Sequence, residues 1–102
     1  MTKILSGFSV AAWKNANTIT IRWGNKSDFP FGSATEKWGV ILGYIPAEYA
    51  PKDDISTVGL MATQWWSAGI TNTVSIYTDG RIGLSYKGGK PISCYGSATY
   101  AL

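Results

Sequence analysis

The sequence predicts an all-β domain, a small Greek-key β-barrel or sandwich of about seven strands. Three observations carry this. Apolar and polar residues alternate with period two along much of the chain, which marks strands with one buried face. Turn residues interrupt that alternation about every ten residues. No segment repeats its apolar residues at helical spacing. The 102 residues suit one domain, 1–102, and a hydrophobic content of 45% is enough to build its core.

A first strand is expected from Gly7 to Trp13 and a second from Thr18 to Trp23, joined by the polar hairpin Lys14-Asn15-Ala16-Asn17. In the second strand Ile19, Ile21 and Trp23 share one face, and Thr18, Thr20 and Arg22 the other. Residues 24–37 read as a long loop with Phe29-Pro30-Phe31 at its centre; the two rings can cap the core or serve a ligand. Trp38 to Ile45 is a third strand, ended by Pro46 and Pro51. A strand from Ile55 to Trp65 follows, with Gly59 expected to break it. Asn72 to Thr78 and Arg81 to Tyr86 form a hairpin closed by Asp79-Gly80, the strongest short hairpin signal here. Val74 and Ile76 share a face with Asn72 and Thr78, while Ser75 and Tyr77 share the other. Ile82, Leu84 and Tyr86 form one face of the return strand. After the turn Lys87-Gly88-Gly89-Lys90-Pro91, the last strand runs from Ile92 to about Ala101.

Composition narrows the function. Charged residues make up only 15%, against roughly 25% in ordinary domains. A surface so poor in charge suits contacts with sugars or with other subunits. The net charge is +3, with the cations scattered. This balance serves solubility, or helps dock an anionic glycan. Scattered cations do not make a nucleic-acid footprint, so no nucleic-acid partner is expected. No apolar run approaches the ~20 residues of a membrane span, so no membrane insertion is expected either. Cys94 stands alone, which excludes an intrachain disulfide and reads as a small buried hydrophobe.

Catalysis is not expected. Histidine is absent, and with it the commonest general base and metal ligand. The adjacent acids Asp53 and Asp54 read as a solvated turn, not as a pair facing each other across a substrate. No phosphate-cradling loop or metal-ligand cluster is visible, so neither a metal nor a cofactor is expected.

Aromatic residues reach 14%. Trp23 and Tyr86 fall in phase with apolar neighbours and belong in the core. Tyr77 and Tyr95 fall out of phase and belong on an outer face. Trp65 and Trp66 are consecutive, so on a strand one of them points outward, toward a ligand or a subunit interface. Aromatic faces suit the C–H surfaces of sugars, with polar groups taking the hydroxyls. The candidate saccharide-binding residues are therefore Tyr77, Tyr95, Ser75, Trp65, Trp66, Asp79 and Arg81.

Four segments resemble the head domains of receptor-binding proteins from siphophages of lactic acid bacteria, the lactococcal type in particular. They are Thr18–Trp23 after a polar hairpin, Ile45-Pro46-Ala47-Glu48-Tyr49-Ala50-Pro51, the hairpin Val74-Ser75-Ile76-Tyr77-Thr78-Asp79-Gly80-Arg81-Ile82, and the terminal Gly96-Ser97-Ala98-Thr99-Tyr100. The resemblance implies a Greek-key barrel, a homotrimer carried on a neck or shoulder domain of the same chain, and a place at the tail tip or baseplate of a virion. It further implies recognition of host cell-wall polysaccharide during adsorption. The chain then reads as the C-terminal piece of a longer protein. Members with a known sugar site carry His-x-Asp and a Trp in the penultimate hairpin and an Arg before the final strand. The corresponding positions here are Ser75, Tyr77, Leu84 and Tyr95, so that site does not transfer residue by residue. A purely structural trimeric cap of a virion fibre shares the same fold and is the alternative reading.

Overall fold

The computed structural model describes residues 1–7, 10–25, 36–64, 67–87 and 93–102. Among the described residues it contains eight strands: β1 (Thr2–Ser6), β2 (Val10–Asn15), β3 (Thr18–Asn25), β4 (Glu36–Tyr44), β5 (Ile55–Gln64), β6 (Ser67–Ile76), β7 (Arg81–Lys87) and β8 (Ser93–Ala101). A single 3-10 turn, Ala47–Tyr49, lies between β4 and β5. All neighbouring strands pair antiparallel, in the order β1-β2-β3-β8-β5-β6-β7-β4. The order β8-β5-β6-β7 is a Greek key.

The ladder divides into two four-stranded leaves, β1-β2-β3-β8 and β5-β6-β7-β4. They join where Leu60, Met61 and Ala62 of β5 pair with Tyr95, Cys94 and Ser93 of β8. β1 and β4 end the order. The architecture is therefore an eight-stranded open sandwich, which replaces the expected seven strands and excludes a closed barrel.

The core lies between the leaves. The first contributes Val10, Ala12, Ile19, Ile21, Trp23 and Tyr100, and the second Val74, Ile76, Ile82, Leu84 and Tyr86. Ile45 closes one end. These residues alternate along their strands, so period two identifies them. Burial of each large side chain stabilises the fold by about 1.5–3 kcal/mol. Gly96 is required by Trp23, because a Cβ there would collide with the indole. Asn72 shares the inward face with Val74, as its phase predicts, and is only 2% exposed. Neither its amide nitrogen nor its oxygen has a hydrogen-bond partner, and the Nε1 of Trp23 is likewise buried and unpaired. Thr78 leaves that face at the hairpin tip and is exposed.

Other departures have local causes. β1 escapes the alternation argument because Ile4 and Leu5 are consecutive and both pack against the core. A register shift between Lys3 and Leu5 makes that possible. Gly59 does not break its strand: β5 continues through it, pairing Gly59 with Asn72, and β6 begins at Ser67 instead of Asn72. The first hairpin is tighter than the expected tetrapeptide. Asn15 already pairs with Thr18, leaving Ala16 and Asn17 as the turn, with Ala16 at φ 54°.

Candidate functional site

The outer face of the second leaf collects most of the candidate site residues. Its geometry starts from the β6–β7 hairpin. Gly80 takes φ 91°, and a side chain there would collide with the carbonyl oxygen of Ile45. Ile45 donates its N–H to the Gly80 carbonyl at 2.7 Å. The Thr78 N–H donates to Asp54 Oδ1 at 3.0 Å. The tip is thus tied on two sides, and that fixes the residues flanking it.

Tyr77 and Arg81 are those residues. The Tyr77 N–H donates to the Arg81 carbonyl at 2.9 Å. The Arg81 guanidinium carbon sits 4.3 Å from the centre of the Tyr77 ring, a cation–π contact. Asp79 holds the arginine from the other side. Its Oδ1 accepts the Arg81 N–H at 3.0 Å, and its Oδ2 lies 3.6 Å from Arg81 Nε. Tyr77 leans over Gly83, whose missing side chain makes the space: a Cβ there would stand 3.4 Å from Tyr77 Cε2 and 3.9 Å from the Cα of Gly39. Ser75 is half-buried and shares a hydrogen bond of 3.0 Å with Ser56 of β5.

β4 supplies three large side chains that the sequence reading did not assign to the site. Trp38 is 70% exposed, Tyr44 60% and Ile41 38%. They are three residues apart, a spacing that an unbroken strand would scatter over both faces. Two register shifts, between Lys37 and Val40 and between Ile41 and Gly43, each insert an extra residue. Gly39, at φ 65°, serves the first and donates its N–H to Ser85 Oγ at 2.9 Å. As a result Ile41 pairs with Gly83 and Tyr44 with Arg81, on the outward side of β7. Trp38 lines an open hollow of about 360 Å³ together with Thr73, Ser85, Tyr86 and Lys87.

The face is therefore a grid of three strands by three levels. Trp38, Ser85 and Thr73 occupy one level, Ile41, Gly83 and Ser75 the next, and Tyr44, Arg81 and Tyr77 the last. Rings and an aliphatic side chain run along β4 at the end of the sheet, and hydroxyls along β6 and β7. Such a surface offers C–H contacts on one side and hydrogen bonds on the other.

Of the sequence-predicted site residues, Ser75, Tyr77, Asp79 and Arg81 come together on this face. Tyr95 belongs to β8, where it pairs with Gly24 and Leu60, and β5 separates that strand from β6. Trp65 and Trp66, like Phe29 and Phe31, lie outside the described residues. Leu84, one of the positions that the resemblance sets against a sugar-site residue, is fully buried in the core. A signal for Trp38, Ile41 and Tyr44 does exist in the sequence: glycines at 39 and 43 inside an otherwise apolar strand mark bulges.

Among the described residues, no group of three or more Cys, Asp or Glu side chains is placed to hold a metal ion. An open β-sandwich with an aromatic, hydroxyl-lined outer face is the class that fold and site define. No protein-family model matches the chain, and no curated protein matches it.

Proposed function

We propose that this domain binds bacterial cell-wall polysaccharide without cleaving it, as the receptor-recognising head of a phage tail tip or baseplate. The observation that carries the binding reading is the hollow beside Trp38, walled by an exposed indole and by the hydroxyl-bearing Thr73 and Ser85, with Lys87 at its rim. Large exposed aromatics grouped on one face mark a binding surface, since water contact with them is unfavourable. Polar groups held in fixed geometry, such as the Asp79–Arg81 pair, add orientation. The segment resemblance to lactococcal phage heads supplies the biological setting, including a homotrimer on a preceding neck or shoulder domain.

The test is a titration of intrinsic tryptophan fluorescence with purified cell-wall polysaccharide from several lactococcal strains. A saturable change with one strain's glycan and none with another's is the expected result. Trp38→Ala and Tyr77→Ala should weaken that binding in protein that remains folded. No response to any glycan, together with no retention on intact cells, would leave the structural virion cap as the better reading.

A further inference from the structure

The grid has a direction as well as a composition. Trp38, Ile41 and Tyr44 form an apolar rail along β4. Beside it on β7 the outward positions run from Ser85 past Gly83, which the Tyr77 ring covers, to Arg81. Four strand steps lead from Ser85 to Arg81, a distance of about 13 Å and roughly the length of three linked pyranose rings. The two ends differ in chemistry. At one end an indole stands over the hollow that Lys87 rims. At the other a phenol flanks a guanidinium already braced by Asp79 and stacked on Tyr77. Between them Gly83 is buried, and the Tyr77 ring lies over it.

A site for one sugar needs one ring and a closed set of hydrogen bonds. This face has two separated ring positions, with Ile41 and the Tyr77 ring between them. We propose that it takes a linear glycan of at least three sugar units, laid along β4 and β7 and gripped along its length. This deepens the saccharide reading above and rests on it. One unit packs on Trp38, one crosses Ile41 and the Tyr77 ring, and one meets Tyr44 and Arg81. A single sugar engages one ring position only, so affinity must grow with chain length and then stop growing.

The experiment uses the whole chain and size-graded fragments, from one unit to about eight, made by partial hydrolysis of a polysaccharide that the domain retains. Calorimetry and tryptophan fluorescence read the dissociation constant at each length. The expected result is at least a tenfold gain from one unit to three, followed by a plateau. Tyr44→Ala, an exposed position that leaves the core untouched, should lower the affinity of the trimer and longer fragments by a larger factor than that of a single unit. If one unit binds as tightly as the polymer, the length requirement is wrong while the saccharide reading stands. If no polysaccharide is retained from any strain tested, the saccharide reading fails and this inference fails with it.

Discussion

Each leaf of the sandwich carries a tryptophan on its outer face, and the two are treated in opposite ways. On the first leaf Trp13 is half-buried. Lys3 Nζ stands 5.6 Å from the centre of its ring and Arg22 Cζ 6.0 Å, so two cations from the neighbouring strands cover it. Thr20 and Thr99 share a hydrogen bond beside it. On the second leaf Trp38 remains 70% exposed, in line with Ile41 and Tyr44. The first leaf keeps β2, β3 and β8 in register and places two cations over its own aromatic. The second places two register shifts in its last strand, and these turn three large side chains outward. An aromatic residue on a sheet surface is not by itself a site. What distinguishes the second leaf is that its ring stays 70% exposed, in line with other large side chains and beside hydroxyl groups.

The comparison predicts a clean separation of effects. Trp38→Ala should cost about 1.4–2.4 kcal/mol of saccharide binding, roughly ten- to sixtyfold in Kd, with thermal stability nearly unchanged. Trp13→Ala should leave saccharide binding alone and lower unfolding stability by about 1–2 kcal/mol, because it removes partly buried ring surface and two cation contacts. Fluorescence titration and denaturant melts of the two variants measure both quantities. If Trp13→Ala weakens binding as much as Trp38→Ala does, the two faces are not functionally distinct.

Gly83 tests the floor of the second leaf's face. A Cβ at this position meets Tyr77 and Gly39 only at ordinary contact distances, so Gly83→Ala should be close to neutral. Gly83→Leu reaches further and displaces the Tyr77 ring from the middle of the face. Binding should then fall about tenfold, a change of ~1.4 kcal/mol, with a smaller loss of stability. Equal binding by the wild-type protein and Gly83→Leu would show that no ligand crosses this point.

The contrast between the leaves also marks how far the sequence was legible. Both core faces follow from alternation: Ile19, Ile21 and Trp23 on one leaf, Val74, Ile76, Ile82, Leu84 and Tyr86 on the other. Asp79-Gly80 gives the hairpin, and with it the placement of Tyr77 and Arg81. The edges of the sandwich were harder to read, because β1 and β4 contain register shifts that break the period on which the argument depends. Trp38, Ile41 and Tyr44 share a face only once two extra residues are accounted for. Pairing across the sheet is also non-local, so nothing near Tyr95 in sequence says that β5 will stand between it and Tyr77. Finally, Asn72 obeys the inward phase as a polar residue with no partner, and alternation alone cannot say what the core does with it.

A lesion in the first leaf's interior should alter stability and its pH dependence without touching recognition. Tyr100 of β8 donates its phenolic hydrogen to the carbonyl oxygen of Tyr49, and burial pushes its pKa up to about 12. Burial raises the pKa of Tyr86 as well. A phenol whose pKa is raised in the folded state contributes stability that is fully present below the unfolded value near 10. That contribution is lost as pH climbs from about 10 through about 12, because the unfolded chain ionises first. Tyr100→Phe should lower stability at neutral pH by about 1 kcal/mol, from the lost hydrogen bond, and should flatten the alkaline loss. Melts between neutrality and pH 12 check this; an alkaline limb as steep as in the wild-type protein would rule out Tyr100 as its source.

The smallest expected effect concerns the cover over Trp13. Lys3→Ala and Arg22→Ala each remove one cation from the ring at an exposed site, where such contacts are worth about 0.5–1 kcal/mol. Each variant should lower stability by no more than that. The double variant should lose about the sum if the two cations act independently. Salt weakens surface charge contacts, so the difference from the wild-type protein should shrink at high ionic strength. The informative readout is binding. An uncovered Trp13 acquires an exposed ring but not the hydroxyl-bearing neighbours Thr73 and Ser85 that wall the hollow beside Trp38. The double variant should therefore bind no more saccharide than the wild-type protein. Appearance of a second, independent saccharide site in that variant would mean that an open ring suffices, and that the neighbours of Trp38 matter less than its exposure.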